Sequence, residues 1–217
     1  MGTGRQYTIR VKNVSKDFNG VTVLDHISIS LESGKIYGIV GHNGSGKTVL
    51  FKLICGFLKC SSGEILVNGK RIGKDLNMLT DAGVIIEDPA FLRNWSGYRN
   101  LEFLYTIRNR NNKQYLYSVI RKVGLEPEER KAVGKYSLGM RQRLAIAQAI
   151  MEDPPILILD EPMNGLDKHG IDEMRKLFLE MKAEGKLILM ASHNKEDIDT
   201  LCDEVYQMED GRVSRIR

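Results

Sequence analysis

Two runs of alternating apolar and polar positions lie between residues 8 and 32, on either side of Asn19-Gly20, the pattern of a β-hairpin. The segment 35–40 (KIYGIV) is a short, uninterrupted apolar run that enters a glycine-rich loop at 41–46. Beyond it Leu50, Leu53, Ile54, Phe57 and Leu58 recur at helical spacing and predict an amphipathic helix through Leu58. GEILVNGK at 63–70 reads as a strand with an Asn-Gly turn, and GVIIE at 83–87 as a buried strand ahead of Pro89. From about 91 to 135 the pattern turns polar and helical, punctuated by Gly124 and Pro127, and a helix over 141–151 follows. Pro154-Pro155 then opens the fully apolar strand 156–159, a helix spans about 170–183, and KLILMA at 186–191 is another strand. The chain closes on a hairpin through Asp210-Gly211.

Unbroken apolar strands that alternate with helices predict a mostly parallel sheet covered on both faces. The alternating N-terminal strands predict an antiparallel β-layer beside it, and 91–135 a helical insertion. At 217 residues the length fits one domain with an insertion. The expected division is a core at about 1–90 and 154–217, with a helical subdomain at about 91–153.

Composition narrows the function classes. A hydrophobic share of 42% with 28% charged residues is globular rather than disordered. A net charge of +4 without a basic block gives no reason to expect nucleic acid. No apolar run approaches the roughly 18 residues of a membrane helix. The first 13 residues hold no apolar leader, and Gln6 breaks the myristoylation pattern. Any contact with a membrane is therefore expected to go through a partner. Cys55, Cys60 and Cys202 lack paired spacing or a nearby histidine, and read as buried reduced thiols.

The chemistry begins at Gly41-His42-Asn43-Gly44-Ser45-Gly46-Lys47-Thr48, which matches G-x-x-x-x-G-K-[ST] between a strand and a helix. Such glycines let backbone N–H groups curl around phosphates at a helix N-terminus that already favours anions. Lys47 adds a cation for the β- and γ-phosphates, and Thr48 a hydroxyl for Mg²⁺. The strand 156–159 ends in Asp160-Glu161. A central parallel strand delivers its C-terminal residues to the ligand crevice, so both acids should face the phosphate loop. Asp160 can hold Mg²⁺ through its water shell, and Glu161 can take a proton from an attacking water. Away from a phosphate loop, the same pair would read as a solvated strand end.

Further motifs carry a resemblance. Tyr136-Ser-Leu-Gly-Met-Arg-Gln-Arg143 resembles the signature of ATP-binding-cassette (ABC) ATPases, just upstream of the Asp160-Glu161 strand as in that family. Asn164-Gly165-Leu166-Asp167 resembles the family's D-loop, and Ser192-His193 its switch histidine. Phe18 stands where the family stacks an aromatic on adenine. The match covers about residues 8–211, and IIEDP with SLGMRQR looks most like the branch serving bacitracin- and lantibiotic-type exporters. The resemblance implies a P-loop NTPase cassette that hydrolyses ATP with Mg²⁺. It also implies head-to-tail pairing with a second cassette around two nucleotides, so that Ser137 and Gly139 close on the partner's γ-phosphate and Asn164 and Asp167 meet the partner. A separate multi-span permease is implied as well, with the cassette peripheral at the cytoplasmic face of the membrane.

Read from its residues alone, Ser137 can cap a helix starting near 138, which leaves free N–H groups facing outward. His26 and His42 read as surface residues, His42 entering the site only as part of the loop. Phe91, Leu92 and Trp95 read equally as permease-docking residues or as packing of the insertion. A P-loop kinase or GTPase would leave the signature, the D-loop and His193 unexplained. Repair- and translation-type cassettes would need coiled-coil insertions or a fused second cassette, for which the 50 positions from Glu87 to Ser137 leave no room. Two departures stand out. Glu87 replaces the family's usual glutamine; it can still reach Mg²⁺ or water, but two acids near the γ-phosphate would titrate as a coupled pair. Leu138 replaces the first signature glycine, and its side chain is expected to point away from the nucleotide.

Overall fold

In the computed structural model, which describes residues 6–217, β1 (Thr8–Phe18) and β2 (Val21–Glu32) form the expected hairpin. Asn19 and Gly20 turn it with φ of 49° and 83°, the left-handed pair that a tight hairpin turn requires. Residues 1–5, which carry part of the leader and lipidation argument, lie outside the described residues. β4 (Ser62–Val67) pairs antiparallel with β1, and β5 (Lys70–Arg71) folds back on β4 through Asn68-Gly69. These four strands make the antiparallel layer, in the order β2-β1-β4-β5.

The second sheet has the order β10-β9-β3-β8-β7-β6. It comprises β3 (Ile36–Val40), β6 (Ala82–Ile85), β7 (Ile156–Asp160), β8 (Leu187–Ala191), β9 (Glu204–Glu209) and β10 (Arg212–Arg215). Its neighbours are parallel except β10, which returns antiparallel on β9 through the expected Asp210-Gly211 turn. The apolar runs are unbroken because both faces are buried. Ile156 and Ile158 of β7 pack with α1 (Lys47–Cys55) and the antiparallel layer. Leu157 and Leu159 turn the other way, into a core shared with α2 (Gly97–Tyr105), α3 (Lys113–Lys122), α4 (Leu138–Ile150) and α5 (Lys168–Ala183).

Local chemistry sets where several elements end, and in four places it departs from the periodicity. α1 stops at Cys55 because Gly56, at φ 80°, caps it in the left-handed conformation; Phe57 lies exposed beyond it, so the helix does not run on to Leu58. β6 ends at Ile85 rather than 87, and Glu87 turns left-handed at φ 62°. α4 begins three residues before 141 because Ser137 Oγ accepts from Met140 N at 3.1 Å. The seven-residue α6 (Lys195–Leu201) is too short for apolar spacing to reveal, and Asn194 caps it by accepting from Glu196 N at 2.9 Å.

Among the described residues no helix is long and apolar enough to cross a membrane. The three cysteines are free; Cys55 and Cys202 are buried, and burial pushes both thiols up to about 12. Cys60 is only half-buried, less enclosed than its sequence context predicts.

Gly83 marks the closest approach of α4 to the sheet. A Cβ there would stand 1.9 Å from Ala149 O and 2.7 Å from Leu157 Cδ2. Gly83→Ala should therefore push α4 off β6 and lower stability by about 1–3 kcal/mol. Urea unfolding followed by circular dichroism will show this as a lower midpoint at an unchanged slope.

Candidate nucleotide site

The phosphate loop joins β3 to α1, and tertiary packing holds it from both sides. A Cβ on Gly46 would meet Leu24 Cδ2 at 2.6 Å, and one on Gly41 would meet Met208 O at 2.3 Å, so β2 and β9 leave no room for side chains. Gly44, at φ 83°, has open space where its side chain would be. No side chain caps α1, because its N-cap residue is Gly46; its first amides face the loop. Ser45 is buried, and its hydroxyl is the sole buried side-chain polar atom among the described residues without a hydrogen-bond partner. A buried orphan of this kind calls for a ligand oxygen. Lys47 is also buried; its ammonium donates to Gly41 O at 2.8 Å and to His42 O at 3.0 Å, folded over the loop. His42 and Asn43 are exposed, with His42 Nδ1 2.9 Å from Asn43 O.

The end of β7 brings Asp160 and Glu161 to the loop, and the end of β8 lies beside it. Thr48 Oγ1 donates to Asp160 Oδ2 at 2.6 Å, which brings together the two oxygens expected to serve Mg²⁺. Hard oxygen donors beside a phosphate cradle suit that ion. Glu161 is left-handed, at φ 51°, with its amide on Ala191 O at 3.0 Å. This conformation costs a non-glycine residue about 1–3 kcal/mol and is the kind of strain found at functional sites. Its Oε2 lies 2.9 Å from His193 Nδ1 and accepts from His193 N at 3.4 Å. Gln142, to which the sequence assigned no role, donates Nε2–H to Pro162 O at 2.9 Å and ties α4 to the turn after Glu161. Its position inside the Tyr136–Arg143 motif was the available signal.

A cavity of about 700 Å³ opens between these parts, walled by the phosphate loop with Val23, Gln142, Asp160, Glu161 and Asn164 among others. That volume lies in the range of small-ligand sites. Glu87 also borders it, but its carboxylate sits 2.5 Å from Lys52 Nζ on α1 and is 65% exposed. Glu87, expected among the metal donors, thus shares the cavity with Thr48 and Asp160 and is paired there with Lys52, whereas Glu161 is engaged by His193. Phe18 is not a wall of the cavity; it lies at the end of the β1–β2 hairpin, 40% exposed, with Lys16 Nζ 4.6 Å over its ring.

Ser137 and Gly139 also lie outside the cavity walls, Ser137 exposed and occupied only as a helix cap. Asp167 is exposed and caps α5, accepting from Gly170 N at 3.0 Å. Leu138 is 55% exposed and lines the cleft of its own chain. The reason is Gly165: a Cβ there would be 2.4 Å from Leu138 Cγ, so the bare glycine provides the seat for the leucine.

Comparison with known proteins agrees with this geometry. Residues 24–164 match the family model described as ABC transporter. The chain is 41% identical to YybJ, an uncharacterized ABC transporter ATP-binding protein of Bacillus subtilis, across 94% of each chain. It is 38% identical to the bacitracin transport ATP-binding protein BcrA of Enterococcus faecalis, across 96% of this chain and 68% of that one. The dimeric structure of a bacterial ABC transporter cassette superposes with a TM-score of 0.85 at 20% identity, across 96% of this chain and 99% of that one, a likeness of fold. A phosphate loop closing on strand-end acids, within a chain so related, belongs to the ABC transporter family, as an ATP-binding and ATP-hydrolysing cassette.

Proposed function

We propose that this cassette powers export of a peptide, antibiotic or lipid-like compound through a separate multi-span permease. In this reading it works as a head-to-tail pair around two Mg-ATP at the cytoplasmic face of the membrane. The observation that carries the pairing is that Ser137, exposed at the N-cap of α4, and the half-buried Gly139 are not walls of their own chain's cleft, although Leu138 between them is. A second copy offers its γ-phosphate to that surface. BcrA, a relative named for bacitracin transport, supports the cargo class.

The loop amides of 41–48 and Lys47 hold the β- and γ-phosphates, and Phe18 stacks on adenine. Thr48 would hold Mg²⁺ directly and Asp160 through water; the ion supplies charge neutralisation on the phosphate oxygens. Glu161 accepts the proton of the attacking water at its carboxylate, and His193 donates to a γ-phosphate oxygen. Asn164 and Asp167 meet the partner cassette. Residues 91–153 form the helical subdomain that carries Ser137 to it, the remainder being the catalytic core. Leu92 and Phe103 are exposed, and the edge-on contact of Trp95 with Phe103 at 5.7 Å gives the permease an aromatic docking face; Phe91 packs against the core.

Two measurements test this reading. Specific activity should rise with protein concentration, or require the permease, because each site needs the other copy; a demonstrably monomeric preparation hydrolysing ATP at full rate overturns the pairing. Co-purification with the permease, followed by screening for compounds that stimulate hydrolysis, tests the cargo class. Glu87→Gln restores the family's usual residue and releases Lys52. Hydrolysis should stay within a few-fold, about 1 kcal/mol or less in barrier, while its Mg²⁺ dependence shifts in a titration of rate against free metal.

A further inference from the structure

A buried charge pair joins α5 to α6 and takes no direct part in the nucleotide site. Arg175 is buried and Asp197 is 1% exposed. The guanidinium donates to Asp197 Oδ1 from Nε at 2.9 Å and from Nη2 at 2.6 Å, and to Glu196 Oε1 from Nη1 at 2.9 Å. Asp197 Oδ2 accepts from the buried Ser192 hydroxyl at 3.5 Å, and Ser192 Oγ accepts from Asn194 N at 3.1 Å. Ser192 and Asn194 are the two neighbours of His193.

Stability alone is a weak reason for such a pair, since well-packed apolar residues in place of a buried ion pair are often neutral or stabilising. Position gives a stronger one. The His193 side chain is 67% exposed and its ring is held by one carboxylate, that of Glu161. Its placement therefore depends on the backbone either side. α5 starts at Lys168, just past the turn that follows Glu161, and α6 starts at Lys195, just past His193. Clamping the two helices holds the two loops in register.

We propose that Arg175 and Asp197 are positioning residues that keep His193 aligned with Glu161 for hydrolysis. The proposal rests on the role given above to His193. The test uses the full chain, with Arg175→Met, Asp197→Asn, the apolar pair Arg175→Met/Asp197→Leu, and His193→Ala as reference. Each variant that is folded by circular dichroism should lose about 10- to 100-fold in kcat, the scale of a misplaced catalytic geometry, with KM for ATP within about twofold. The apolar pair should show this loss even where its melting temperature equals that of the unaltered chain. Arg175→Met added to His193→Ala should lower kcat no further than His193→Ala alone, because the arginine acts through the ring. Unchanged kcat in folded Asp197→Asn or in the apolar pair overturns the proposal, as do losses from Arg175→Met and His193→Ala that multiply. A wild-type rate in His193→Ala overturns the role of His193, and this proposal with it.

Discussion

Glu161→Gln should lower hydrolysis by about 10²–10⁴-fold, the worth of a positioned general base, while leaving ATP bound. The amide keeps the shape of the carboxylate, and its carbonyl oxygen can still accept the bond from His193 Nδ1 now made by Glu161 Oε2 at 2.9 Å. What it loses is the capacity to take a proton from water. Binding depends on the phosphate loop and is untouched, so the closed pair of cassettes should accumulate. Single-turnover hydrolysis and gel filtration with ATP measure both effects. Glu87→Gln serves as the comparison, because its carboxylate is held by Lys52 at the rim of the same cavity. If Glu87→Gln trapped the pair while Glu161→Gln still turned over, the base would be Glu87.

Lys47→Ala should weaken ATP binding by about 100-fold or more. Two charge-assisted hydrogen bonds to phosphate, at about 1.5–3 kcal/mol each, set that scale. In the structure these donors rest on Gly41 O and His42 O, two carbonyl acceptors to which water can donate in the mutant. Because the lysine stem is buried, Lys47→Met provides a variant of similar volume in which only the charge is lost. Both should bind ATP equally poorly by calorimetry while remaining folded; retained affinity in folded Lys47→Met would remove Lys47 from the site.

Much of the fold was legible because its signals are local. The Asn19-Gly20 and Asp210-Gly211 turns need left-handed residues, and each lies where the two expected strands meet. The strands β7 and β8 are continuous apolar runs because both faces are covered, so they stand out without periodicity. Element ends were less legible. Apolar spacing carries on through Phe57 and Leu58, whereas the backbone at Gly56 ends α1. α6 has too few residues to display a period.

The sequence by itself determined the phosphate loop, the strand-end position of Asp160 and Glu161, and the cap at Ser137. Each depends on residues within a few positions of one another: glycine spacing before a helix, an acid after an apolar run, a serine ahead of a first turn. Tertiary structure alone decided the partners of those groups. Glu87 pairs with Lys52, Leu138 rests on Gly165, Gln142 reaches Pro162, and Arg175 closes on Asp197. These contacts join segments 20 to 35 positions apart. They depend on where helices cross the sheet and how closely they approach it, and side-chain packing across those crossings has no periodic trace in the chain.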